Sequence, residues 1–61
     1  MTTYTITAET VEYEVEATGN SYTSKREAIR IARILAKTAT PGLWRRFFVE
    51  VDEVAIFTVA A

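Results

Sequence analysis

Arg26, Arg30, Arg33 and Lys37 are spaced i, i+4, i+7 and i+11. On a helix turning about 100° per residue they fall within about 60° of one another, forming one outward ridge. Such a ridge, extended past the helix by Arg45 and Arg46, has the chemistry to neutralise phosphates and to bind nucleic acid with salt-dependent affinity. The plainer alternative is a solvated helix face, because no Asn, Gln or aromatic residue is interleaved to read bases. Ile29 lies on the flank of the ridge, either as an apolar anchor for a protein partner or as cover for the sheet edge. A second pattern is Glu12, Glu14 and Glu16. On a strand these carboxylates share one face at roughly 6.6 Å intervals. They suit a partner that otherwise binds phosphates, or a hard cation, or they form an ordinary charged strand that resists edge pairing. No loop of alternating acids supplies a metal cage, so no metal site is expected. The chain has no Cys and no His, which removes thiol nucleophiles, the usual zinc sites and imidazole acid–base catalysis. No catalytic residue and no cofactor is expected.

These residues have to be positioned by four strands and one helix. The helix spans Ser24 to Ala39, with Ser24 as N-cap and Glu27 three residues on completing a capping box. Its buried stripe is read as Ala28, Ile31, Leu35 and Ala39 with Ser24 and Thr38 beside them, and Pro41 is expected to end it. Before it, residues 2–17 alternate between apolar and polar with a parity switch at Glu9-Thr10. That switch predicts a hairpin pairing Ala8 with Val11, Ile6 with Tyr13 and Tyr4 with Val15, through a two-residue turn or a longer loop of the same parity. Thr18-Gly19-Asn20-Ser21 reads as a turn.

After the helix, Leu43 and Trp44 are read as closing the bottom of the core. Two further strands, about 45–51 and 54–59, flank Asp52-Glu53. Glu50 decides their faces, since an unpaired carboxylate in so small a core would cost several kcal/mol. Phe47, Val49, Val51, Val54 and Ile56 then face inward. Phe48, Phe57 and Val59, with Arg46 beside them, form an outward apolar patch of the kind that a second copy or another protein covers, unless a bulge shifts the parity by one. The order is ββαββ, an α+β fold with one helix on one face of a mainly antiparallel four-stranded sheet. Strand order 2-1-3-4 is preferred to 2-1-4-3.

The 61 residues make a single domain, residues 1–61, near the lower size for folding without disulfides or metals. The net charge of −1 conceals segregation: residues 1–24 carry −4, residues 25–46 carry +6 and residues 47–61 carry −3. A bipolar surface follows. No run suggests a membrane span or a secretory signal, so a cytoplasmic protein without a membrane partner is expected.

The stretch VEYEVEATGNSYTSKREAIRIARILAKTATPGLWRRFFVEV, with its hairpin, Ser-x-x-Glu-Ala helix start, Pro-Gly exit and returning strand, resembles the small phage-encoded inhibitors of bacterial machinery, such as RNA polymerase inhibitors and anti-CRISPR proteins. The resemblance covers about two thirds of the chain, in order of elements, and carries over no functional residue. It implies a compact non-enzymatic binder that occludes a bacterial host protein. The expected partner-binding residues are Phe48, Phe57, Val59, Arg46, Glu12, Glu14 and Glu16, with a homodimer as another occupant of the apolar patch. The alternative function is nucleic-acid binding through Arg26, Arg30, Arg33 and Lys37.

Overall fold

A computed structural model describes residues 2–40 and 42–61. The elements are β1 (Tyr4–Thr10), β2 (Val15–Tyr22), α1 (Lys25–Thr38), β3 (Trp44–Val51) and β4 (Val54–Ala60). All neighbouring strands are antiparallel, in the order β2-β1-β3-β4, and α1 covers one face, lying chiefly over β3. The fold is the expected α+β ββαββ layout.

Helix α1 begins where the cap predicts. The Glu27 N–H donates to Ser24 Oγ at 3.3 Å, satisfying one orphan donor of the first turn. The Glu27 carboxylate does not reach back to complete a capping box; it takes Arg30 instead, at 2.6 Å from Nη2. At the other end Ala39 is extended, with φ −63° and ψ 146°. Pro41, expected to stop the helix, lies outside the described residues.

The buried stripe is rotated from the one expected. Ala28, Ala32 and Ala36 are buried, while Ile31 and Leu35 flank them on one side and Ile29 on the other, and Ala39 continues the stripe past the helix end, all four half-buried against the core. Small residues along i, i+4, i+8 let the helix axis sit close to the sheet, and the larger side chains bracket the contact. Ile6, Ala8, Phe47 and Val49 form the sheet side of this core. Thr38 is exposed, its hydroxyl donating to the Ile34 carbonyl at 2.9 Å.

Register is irregular at three places; the one-residue shifts in β3 and β4 move side chains between faces, whereas the two extra residues in β2 leave its alternation unchanged. In β2 the pairing steps from Thr7↔Ala17 to Thr5↔Ser21, so Thr18, Gly19 and Asn20 form a wide bulge within the strand rather than a turn. Gly19 takes φ 89° there, a conformation costly for any residue with a Cβ. The Thr18 hydroxyl pins the bulge by donating to the Ile6 carbonyl at 2.9 Å. Between β1 and β3 the register shifts at Glu9/Thr10, leaving Arg45 unpaired between Trp44 and Arg46. In β4, Ile56 is the extra residue: Glu50 pairs with Ala55, but Val49 pairs with Phe57 and Phe47 with Val59.

The first hairpin also turns later than expected. Its connection is Val11-Glu12-Tyr13-Glu14, and Ala8 pairs with Glu16 and Glu9 with Val15. Val11, Tyr13 and Val15, read from the sequence as core, are therefore exposed, at 47%, 66% and 60%.

Candidate functional site

The exposed end of the first hairpin gathers the chemistry. Thr10 organises the loop. Its hydroxyl oxygen accepts the N–H groups of Glu12 at 3.3 Å and Glu14 at 3.2 Å, its N–H donates to the Glu14 carbonyl at 2.8 Å, and its carbonyl accepts the Tyr13 N–H at 3.0 Å. The Val11 N–H donates to the Leu43 carbonyl at 3.1 Å, tying the loop to the segment that leaves the helix. Between them lies a shallow depression lined by Val11, Glu12, Glu14, Glu16, Leu43 and Trp44, together with Thr10 and Gly42. Its apolar members are the exposed Val11 and Leu43, Leu43 at 46%, and the half-buried Trp44, whose ring stands 6.0 Å from that of Phe47. Trp44 thus does close one end of the core, whereas Leu43 does not.

The three glutamates meet at this depression, but not as a strand ladder. Glu12 and Glu14 sit in the loop and only Glu16 is in β2. All three are exposed and, among the described residues, none is ion-paired. No group of three carboxylates among the described residues is arranged to hold a metal ion. The arrangement suits a cationic surface that brings its own apolar side chain.

Tyr13 stands at the tip with φ 67°, an uncommon conformation for a bulky side chain. The Arg45 guanidinium lies over its ring at 4.4 Å from the centroid. That cation also approaches Glu9, at 3.8 Å, while Arg46 Nε donates to the same Glu9 oxygen at 2.6 Å. Arg45 and Arg46 therefore belong to the sheet and the hairpin, not to an extension of the helix ridge.

The expected Phe48, Phe57 and Val59 patch is not assembled. Because Ile56 is bulged, Phe57 and Val59 turn to the helix side and pack against the core. Phe48 stays on the opposite face, paired with Thr58, under the Arg46 guanidinium at 5.7 Å. Glu50 does face away from the helix, as the charge argument requires, and accepts from the Thr7 hydroxyl at 2.5 Å. Thr7 is only 7% exposed, so this pair is a satisfied polar contact rather than a free site.

On the helix, Arg26, Arg30, Arg33 and Lys37 are exposed as expected, but not equivalent. Arg30 is held by Glu27, whose hydrogen bond and charge raise the guanidinium pKa above its ordinary value. Arg33 lies 5.5 Å over the Phe57 ring. Lys25, Arg26, Ile29, Arg30 and Arg33 line a second, more open depression. Among the described residues no helix is long and apolar enough to cross a membrane.

The sequence reading missed Val11, Tyr13 and Leu43 as surface residues. For Tyr13 a weak signal existed in Thr10, whose hydroxyl can bond the backbone of a following turn. The chain matches no protein-family model, no curated protein and no solved structure.

Proposed function

We propose that this chain is a small non-enzymatic protein-binding module that acts by occluding a partner's surface, with the hairpin end as the contact. The observation that carries the reading is the joining of exposed Val11, Tyr13 and Leu43 to three carboxylates without ion-pair partners among the described residues. Apolar anchors rimmed by charge are the usual anatomy of a recognition patch, and Tyr13 at the hairpin tip stays 66% exposed with Arg45 against its ring. The absence of His and Cys from the sequence supports a binder over a catalyst. The likeness in element order to small phage-encoded inhibitors supports a bacterial protein as the target.

The test is capture from bacterial lysate with the tagged chain as bait, with and without nuclease. A partner retained after nuclease should be lost at least tenfold by the combined change Val11→Ser, Glu12→Gln, Glu14→Gln and Glu16→Gln, which leaves the core untouched. Undiminished capture by that variant would sink the proposal.

A second reading, nucleic-acid binding by the helix, is favoured by one observation: Lys25, Arg26, Arg33 and Lys37 form no ion pair among the described residues. It predicts affinity that falls steeply with salt and weakens in Arg26→Gln/Arg33→Gln. A flat salt response would remove it.

A further inference from the structure

The free edge of β4 is a second surface, independent of the hairpin contact. A sheet edge presents unpaired N–H and C=O groups, which proteins blunt with charges, prolines or bulges. The β2 edge is blunted: it carries Glu16 and is interrupted by the wide bulge at Thr18, Gly19 and Asn20. The β4 edge has its one-residue bulge at Ile56 and then runs in regular register from Phe57 to Ala60. No charged residue and no proline occurs from Val54 to Ala61. The direction of its polar groups follows from a single bond, the Ala61 N–H donating to the Arg45 carbonyl at 3.1 Å. By the alternation of antiparallel pairs, Val59 and Phe57 also bond towards β3, and Thr58 and Ala60 turn their N–H and C=O groups to the open side.

We infer that β4 pairs antiparallel with β4 of a second copy of this chain, joining two four-stranded sheets into one. Charge selects that occupant. A two-fold contact sets a segment against itself, so the helix ridge and the Glu12 to Glu16 segment would oppose several of their own charges, whereas β4 carries no charged residue and has only Arg33, over Phe57, beside it. Ile56, 40% exposed in the monomer, lies at the start of the contact. Its extent sets its strength. The regular stretch from Phe57 to Ala60 spans about 13 Å, and pairing along that length falls short of the roughly 1,200 Å² buried by stable complexes. The dimer therefore forms at high micromolar rather than nanomolar concentration.

Amide hydrogen exchange of the whole chain, followed by NMR at about 20 μM and about 1 mM, tests this by mass action. The Thr58 and Ala60 amides should gain at least threefold protection at the higher concentration, with Val59 unchanged, and sedimentation should show the mass rising towards a dimer. Ile56→Lys, at an exposed position, should abolish both effects. Thr58→Pro should do the same if its circular dichroism stays native, and Ile56→Lys decides if it does not. Equal exchange at the two concentrations, a dimer whose Thr58 and Ala60 amides stay unprotected, or a dimer that survives Ile56→Lys would each overturn the inference. None of these outcomes bears on the hairpin contact, which the capture experiment reads separately.

Discussion

The two hairpins of this sheet are built for different work. β3 and β4 are joined by Asp52-Glu53 alone, both at positive φ, 50° and 66°, and they send Phe47, Val49, Phe57 and Val59 to the helix. β1 and β2 are joined by four exposed residues, and Val15, Glu16 and Ala17 at the start of β2 are all exposed. The core rests on β1, β3 and the helix, with Phe57 and Val59 of β4 at its margin. One hairpin is therefore free to carry a charged, exposed loop without weakening the centre.

The largest expected effects fall on that centre. Ala32→Leu puts three extra carbons where the helix is fully buried against the sheet and should cost about 3 kcal/mol. Ile6→Ala should cost a similar ~3 kcal/mol. Urea unfolding measures both, and a cost under ~1 kcal/mol for Ala32→Leu would mean the helix stands farther off than its buried alanines imply. Next comes Thr7→Val, which leaves the Glu50 carboxylate without its donor and should cost about 1 kcal/mol in the same assay. The smallest effects separate the hairpins most sharply. Glu53→Gly relieves a left-handed residue and should gain about 0.5 kcal/mol with partner capture unchanged. Tyr13→Gly relieves the same kind of residue but gives up the Arg45 contact with the ring, so the two effects of about 0.5 kcal/mol should offset one another, yet capture should weaken several-fold. If the two glycine variants behave alike in capture, the division of labour between the hairpins is wrong.

Element order was legible in the sequence because hydrophobic alternation, the Ser24 cap and the single helical stretch all agree, and strand order 2-1-3-4 followed from preferring an all-antiparallel sheet to the order 2-1-4-3. The outward placement of Glu50 was legible from the cost of burying it. Register was not, and the failures trace to irregularities that alternation does not mark: one extra residue in β4, two in β2, and a four-residue first loop. Ile56 fits a strand pattern as well as its neighbours do, so nothing in the alternation marks it as a bulge, and it alone moves Phe57 and Val59 to the other face. The first hairpin misled because Val11, Tyr13 and Val15 continue an apolar alternation through a loop, and Thr10, which ties that loop, was read as part of the turn. The helix stripe was misplaced by weighting Ile31 and Leu35 above the alanines. Ala28, Ala32 and Ala36 at four-residue spacing were there to be read as a close-approach seam.

The bond from the Val11 N–H to the Leu43 carbonyl has a thermodynamic consequence for recognition. It joins the loop before β2 to the loop before β3, so a backbone bond holds the two sides of the acidic depression together. A partner docking there meets a surface whose backbone freedom was already given up when the chain folded, and loses less entropy in ordering it. Contacts that are individually weak can then sum to a useful affinity on a surface this small.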